Sequence, residues 1–124
     1  MDPTRRTPKL KLALIAAALA SAATLALAQT QGVTKDQILL GSIQDLSGPI
    51  SGYGKPTRQG MLLRVDEINE QGGINGRKLK LLVEDSAYDP KKAVLAAQKL
   101  VNQDKVFMMV GTLGTPVNMA AMPV

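Results

Sequence analysis

The sequence predicts an α/β fold, the opening of a parallel sheet, and three observations carry that prediction. Three short runs dense in apolar residues fall at 38–43, 77–84 and 106–110. Stretches with helical periodicity separate them, which is the alternation of βαβ units. The first and third runs lead straight into loops rich in glycine, serine and threonine. In an open α/β sheet, ligands bind outside the carboxyl ends of the strands, so these loops are the expected place of function.

The first stretch is basic and then apolar. Arg5, Arg6, Lys9 and Lys11 precede an uncharged Ala/Leu-rich run at 12–27, which ends in Ala26-Leu27-Ala28. A basic n-region, an apolar h-region and an A-x-A site make a secretory signal peptide. The run is shorter than the roughly 20 residues a membrane span needs. Residues 1–28 are therefore expected to be a signal peptide, and 29–124 an incomplete lobe.

The apolar run Ile38, Leu39, Leu40, Gly41, Ser42, Ile43 suits a strand buried on both faces. A glycine loop follows, with Gly48, Pro49, Gly52 and Gly54 and the aromatic Tyr53 at its tip. A helix is expected from Lys55 or Pro56, since proline is favoured in a first turn. Met61, Val65 and Ile68 give it an apolar stripe. Gly72-Gly73 should end it as a left-handed cap, and Ile74-Asn75-Gly76 reads as a turn.

The second strand is expected at 77–84, followed by a loop through Tyr88. Asp89-Pro90 marks the next helix start, an N-cap residue followed by proline at the first position. Ala93, Val94, Ala97, Leu100 and Val101 should form its buried face. A wholly apolar third strand is expected at 106–110, then a small-residue loop at 111–115, and a last helix opening at Pro116. Three such strands do not close a core, so the chain reads as the beginning of a larger fold.

Composition excludes several classes. There is no Cys and no His, which removes thiol catalysis, Ser-His hydrolysis and the common zinc sites. The formal charge of +5 is concentrated in the first stretch; from Gln29 on, eleven Lys/Arg face nine Asp/Glu. Only two Tyr and one Phe are present, too few for a base-stacking platform, so no nucleic-acid partner is expected. The segment 48–57 imitates a phosphate loop, but the required first glycine is Pro49 and Pro56 follows Lys55. Gly52-Tyr53-Gly54 opens a dinucleotide fingerprint whose third glycine is Thr57. No cofactor is expected.

The loop after the third strand is more informative. Thr112 and Thr115 place hydroxyls at a strand's carboxyl end, and the helix at Pro116 should point free N–H groups at the same spot. That combination suits a carboxylate or another anion; Thr115 serving only as an N-cap fits equally well. Tyr53 and Tyr88 can face a ligand or cover their loops. Ser47, Ser51 and Gln44 can donate to a ligand or satisfy loop backbone. Asp45, Asp85 and Asp89 form no paired-carboxylate constellation by spacing.

These pieces together resemble a known family. D-L-S-G-P followed by Tyr53-Gly54, then N-E-Q-G-G-I-N-G, D-P-K-K-A and V-G-T-L-G-T-P, are similar to the start of branched-chain amino-acid-type periplasmic binding proteins. These are the class I extracytoplasmic receptors of ABC importers, and the resemblance covers roughly 32–124. It implies the first part of a doubly wound parallel-sheet lobe, with a small solute held between two lobes and no catalysis. It implies a periplasmic location, a permease in the inner membrane as partner, and an amino acid, amide or aromatic acid as solute. It places Tyr53 against the ligand, and Thr115 with neighbouring backbone N–H groups on the ligand carboxylate. Together with Thr112, Ser47 and Gly114 from the two loops, the candidate ligand-binding residues are Tyr53, Thr115, Thr112, Ser47 and Gly114. Leucine-type members often carry a disulfide between the loop before D-P and the loop after the third strand, where this sequence has Tyr88 and Gly114. A ligand-sensing domain of a receptor or regulator, and a non-functional remnant, remain alternative readings.

Overall fold

The computed structural model describes residues 30–124, so the expected signal peptide lies outside the described residues. Strand β1 spans Gln37–Gln44, helix α1 Ser51–Glu70, strand β2 Lys78–Asp85 and helix α2 Pro90–Gln98. A π-helical turn, Lys99–Gln103, extends α2; strand β3 is Met108–Met109 and helix α3 is Thr115–Ala121. The sheet is parallel, in the order β2-β1-β3. The chain steps from β1 to one side, then crosses back to the other. That reversal makes the gap between β1 and β3 a topological switch point.

Strand alternation sorts the two layers. Ser42 Oγ lies 3.9 Å from Met61 Sδ of α1. Its neighbour Ile43 is buried on the opposite face with Ala93, Ala96, Ala97, Leu100, Val106 and Val117. Helix α1 therefore covers one face of the sheet, and α2 and α3 cover the other. Of the face expected for α2, Ala93, Ala97 and Leu100 are buried, while Val94 and Val101 are half-buried.

Three expectations need correction. Helix α1 begins at Ser51, not at Lys55 or Pro56. Proline sits inside the helix, and the start is set instead by the loop before it. Strand β2 is displaced by one residue, because Arg77 closes the Asn75-Gly76 turn through a bridge to Ile74. The third strand is two residues rather than five. Its ladder is Leu40↔Met108 and Gly41↔Met109, and flanking bonds from Phe107 N–H to Leu39 and from Val110 N–H to Gly41 continue along β1. With pairing on one side only, Phe107 and Met108 stay 46% and 48% exposed, so this is not yet a strand buried on both faces.

Other elements match their sequence signals. Gly72 N–H bonds to Asn69 and Gly73 N–H to Ile68, with φ of +100° and +78°. That is the double-bonded glycine cap that ends a helix. The Asp89 carboxylate accepts from the N–H groups of Lys91 and Lys92, with Pro90 opening α2. Asn69 Oδ1 accepts from Leu79 N–H at 2.7 Å and its Nδ2 donates to Leu79 O at 2.9 Å. One side chain thus pairs the outer backbone edge of β2. No helix among the described residues is long and apolar enough to cross a membrane.

Candidate functional site

The two loops flanking the switch point are built by different devices. The loop after β1 turns around Asp45, which is fully buried. Its Oδ1 accepts from Gly48 N–H at 2.5 Å and its Oδ2 from Ile50 N–H at 2.7 Å. From β2, Asp85 accepts from Leu46 N–H at 2.8 Å, Ser47 Oγ at 2.5 Å and Ala87 N–H at 2.8 Å. Two aspartates thus hold five donors. No cluster of three potential metal ligands occurs among the described residues.

Burial pushes the Asp85 carboxyl up, but the hydrogen bonds from the Ser47 hydroxyl and from backbone N–H groups outweigh it and hold it below the ordinary 3.8. A depressed carboxyl stabilises the fold above its unfolded value and loses that contribution as pH falls through the folded one. Hydrogen-exchange protection of Leu46 and Ala87 N–H should therefore be flat down to about pH 4 and fall below it. Protection that declines already near neutrality would assign the anchoring to another group.

Three carbonyls of the loop after β3 are held by other groups of the chain. Gly111 O accepts from Gln44 Nε2, Thr112 O from Asn118 Nδ2 at 3.1 Å, and Gly114 O from Asn118 Nδ2 and N–H, both at 2.9 Å. Leu113 N–H donates to Ile43 O at 2.9 Å. A trans peptide sets its C=O and the next N–H on opposite sides. The N–H groups of Thr112 and Thr115 are thereby turned away from these anchors. Among the described residues no acceptor takes the N–H of Thr112, Gly114 or Thr115.

The residues singled out from sequence fall at this one edge of the sheet. Tyr53 lies in the first turn of α1 and is 70% exposed. Thr115 is the exposed first residue of α3, where Gly114 rather than Thr115 occupies the cap position. With φ of +102°, that position suits glycine. Thr112 is half-buried in the loop, and Ser47 is exposed with its hydroxyl proton given to Asp85. The Tyr88 ring packs on Gly114: a Cβ there would lie 2.5 Å from a ring carbon. Helix α3 is short, so the free N–H groups of the loop matter here more than a helix dipole. Sequence reading missed the stapling role of Asn118, which reaches back only to Thr112 and Gly114.

An apolar cavity of about 260 Å³ lies between the sheet and helices α2 and α3. Ile43, Ala97, Met109 and Ala121 line it, and Thr112 is the one candidate residue it shares. Its lining offers no charge for an anion, so it is distinct from the crevice at the strand ends.

Comparison with known proteins places this geometry. A periplasmic binding protein family matches residues 37–124. The leucine-, isoleucine-, valine-, threonine- and alanine-binding protein of Pseudomonas aeruginosa is 38% identical over 74 residues, covering 60% of this chain and 20% of that protein. The fatty acid ABC transporter substrate-binding protein from Thermomonospora curvata superposes with a TM-score of 0.73 at 37% identity, over 77% of this chain and 24% of that one. A branched-chain amino acid transporter substrate-binding protein from Streptococcus pneumoniae, solved with isoleucine, gives 0.68 at 32% identity, over 71% and 25%. The chain thus spans between a fifth and a quarter of the length of these relatives. On that match, over most of its length and with the doubly wound parallel sheet of its relatives, the chain belongs to the periplasmic binding protein family.

Proposed function

We propose that this lobe forms one wall of an extracytoplasmic solute-binding site serving an ABC importer, and that the solute is an amino acid or related small carboxylate. The observation that carries the reading is the 111–115 loop. Three of its carbonyls are held, and N–H groups that no acceptor takes among the described residues lie with the threonines at the end of β3, beside the switch point of the sheet. Backbone N–H groups without an internal partner, clustered with hydroxyls, suit an anion. The named ligands of the similar proteins, amino acids and a fatty acid, share a carboxylate. Tyr53, exposed on the neighbouring loop-to-helix junction, supplies an aromatic face for the rest of the solute. The role is binding without catalysis: Asp45 and Asp85 near the crevice accept from loop N–H groups and the Ser47 hydroxyl. A second lobe would close over the solute, and a membrane permease would receive it.

The expected result is specific. Thr115→Val removes one hydroxyl and keeps the volume. It should weaken a bound carboxylate by about 1.5–3 kcal/mol, the worth of a hydrogen bond to a charged group. Calorimetry with amino acids, their amides, urea and aromatic acids measures it. Unchanged affinity for the carboxylates would remove Thr115 from the site.

A further inference from the structure

Gln44 is the last residue of β1 and sits at the switch point, fully buried. Its backbone carbonyl accepts from Ser86 N–H at 2.8 Å and from Ser86 Oγ at 3.2 Å, which ties in the loop after β2. Its side-chain Nε2 donates to Ser42 Oγ at 2.9 Å and to Gly111 O, which ties in the loop after β3. One residue therefore joins the carboxyl ends of all three strands. Its Oε1 is buried and has no hydrogen-bond partner among the described residues. Leaving a buried amide oxygen unpaired is costly. Neither a generic strand end nor core packing calls for a glutamine here, since an apolar side chain would fill the space without that cost.

We propose that Gln44 is the positioning residue of the anion-facing loop: its carboxamide turns the Gly111 carbonyl inward and so presents the Thr112 N–H to the solute. This rests on the carboxylate reading of the crevice. Gly111 has φ of +59° and carries no side chain to fix it, so its peptide plane is free to rotate unless the carbonyl is held. Gln44 Nε2 holds it from the α1 side, and Ser42 Oγ adds a longer, weaker bond to the same oxygen at 3.5 Å. The unpaired Oε1 completes the assignment, because only the donor end of this amide is used by the loop.

The test uses the full chain and amide exchange. Gln44→Met keeps the bulk and removes the donor. Protection of the Leu113 N–H, which bonds to Ile43 O beside the Gly111 peptide, should fall about tenfold. Gln44→Glu separates positioning from bulk. At neutral pH a carboxylate there faces the Gly111 carbonyl, and protection should fall as in the methionine variant. Burial and the neighbouring acids Asp45 and Asp85 favour its protonation, after which the acid O–H donates to Gly111 again. Protection in Gln44→Glu should therefore recover on acidification relative to wild type at the same pH, and in Gln44→Met it should not. Wild-type protection in both variants at neutral pH overturns the proposal, as does a glutamate variant that tracks the methionine variant at every pH. Leucine is then added as the probe carboxylate. Lost protection in Gln44→Met with no response of the wild-type chain to leucine upholds the positioning role and removes the carboxylate reading. A leucine response that survives Gln44→Met with protection intact does the reverse.

Discussion

Gly54→Ala should abolish the cooperative unfolding transition of this chain, or lower its stability by about 3 kcal/mol or more. Gly54 is buried in the first turn of α1, and a Cβ at that position would lie 1.8 Å from the backbone oxygen of Asp45. The obstacle is backbone, so no rotamer change relieves it. Helix α1 would have to lift off the loop that Asp45 organises. Gly52, two residues earlier in the same helix, has nothing within 4 Å of its Cβ position. Gly52→Ala should be neutral or stabilising by up to about 1 kcal/mol, since alanine is the better helix former. Denaturant midpoints of the two variants measure the contrast. Equal effects would show that close approach, and not helix propensity, has been misassigned.

Asp45→Ala should cost about 3–6 kcal/mol, because hydrogen bonds to a charged acceptor are worth about 1.5–3 kcal/mol each and two are lost. The Gly48 and Ile50 N–H groups would be left unpaired around a buried gap. Asp45→Asn keeps the shape and one acceptor, so it should fall about midway. The loop and the start of α1 would loosen first, seen as lost exchange protection at Gly48 and Ile50. A midpoint unchanged in both variants would mean that water replaces the carboxylate at no cost.

These two residues also show what was legible in the chain. The strand–helix alternation, the Gly72-Gly73 cap, the Asn75-Gly76 turn and the Asp89-Pro90 start were readable because each is a local signal with a local cause. Glycines 52 and 54 carry the local signature of a loop, and both are helical. One of them is there for a contact with Asp45, nine residues earlier, which no local pattern encodes. Pro56 pointed to a helix start and lies inside the helix, because the Asp45 clamp sets the first turn earlier. Asn69 sits in the N-E-Q-G-G motif as a side chain paired with the β2 backbone, a role that spacing alone does not suggest.

Of the candidate site, resemblance named Tyr53 and Thr115, and the loops themselves added Thr112, Ser47 and Gly114; all lie in the loops after β1 and β3 or in the first turns of the helices that follow them. The proximity of Tyr88 and Gly114 was implied by relatives that carry a disulfide there, and here an aromatic ring packs on a glycine instead. Ser47 is different, because its hydroxyl proton is committed to Asp85. The inward anchors of the loop, Gln44 and Asn118, reach across 67 and at most six residues respectively. The first depends wholly on tertiary structure.

The most direct test of the central claim is an amide chemical-shift titration of the chain with isoleucine and, in parallel, with isoleucinamide. The account predicts shifts concentrated at Thr112, Gly114 and Thr115 with the carboxylate, accompanied by Tyr53, and much smaller shifts at the loop with the amide. Equal responses to the two compounds, or shifts centred on the apolar cavity beneath α3 with the loop silent, would contradict it.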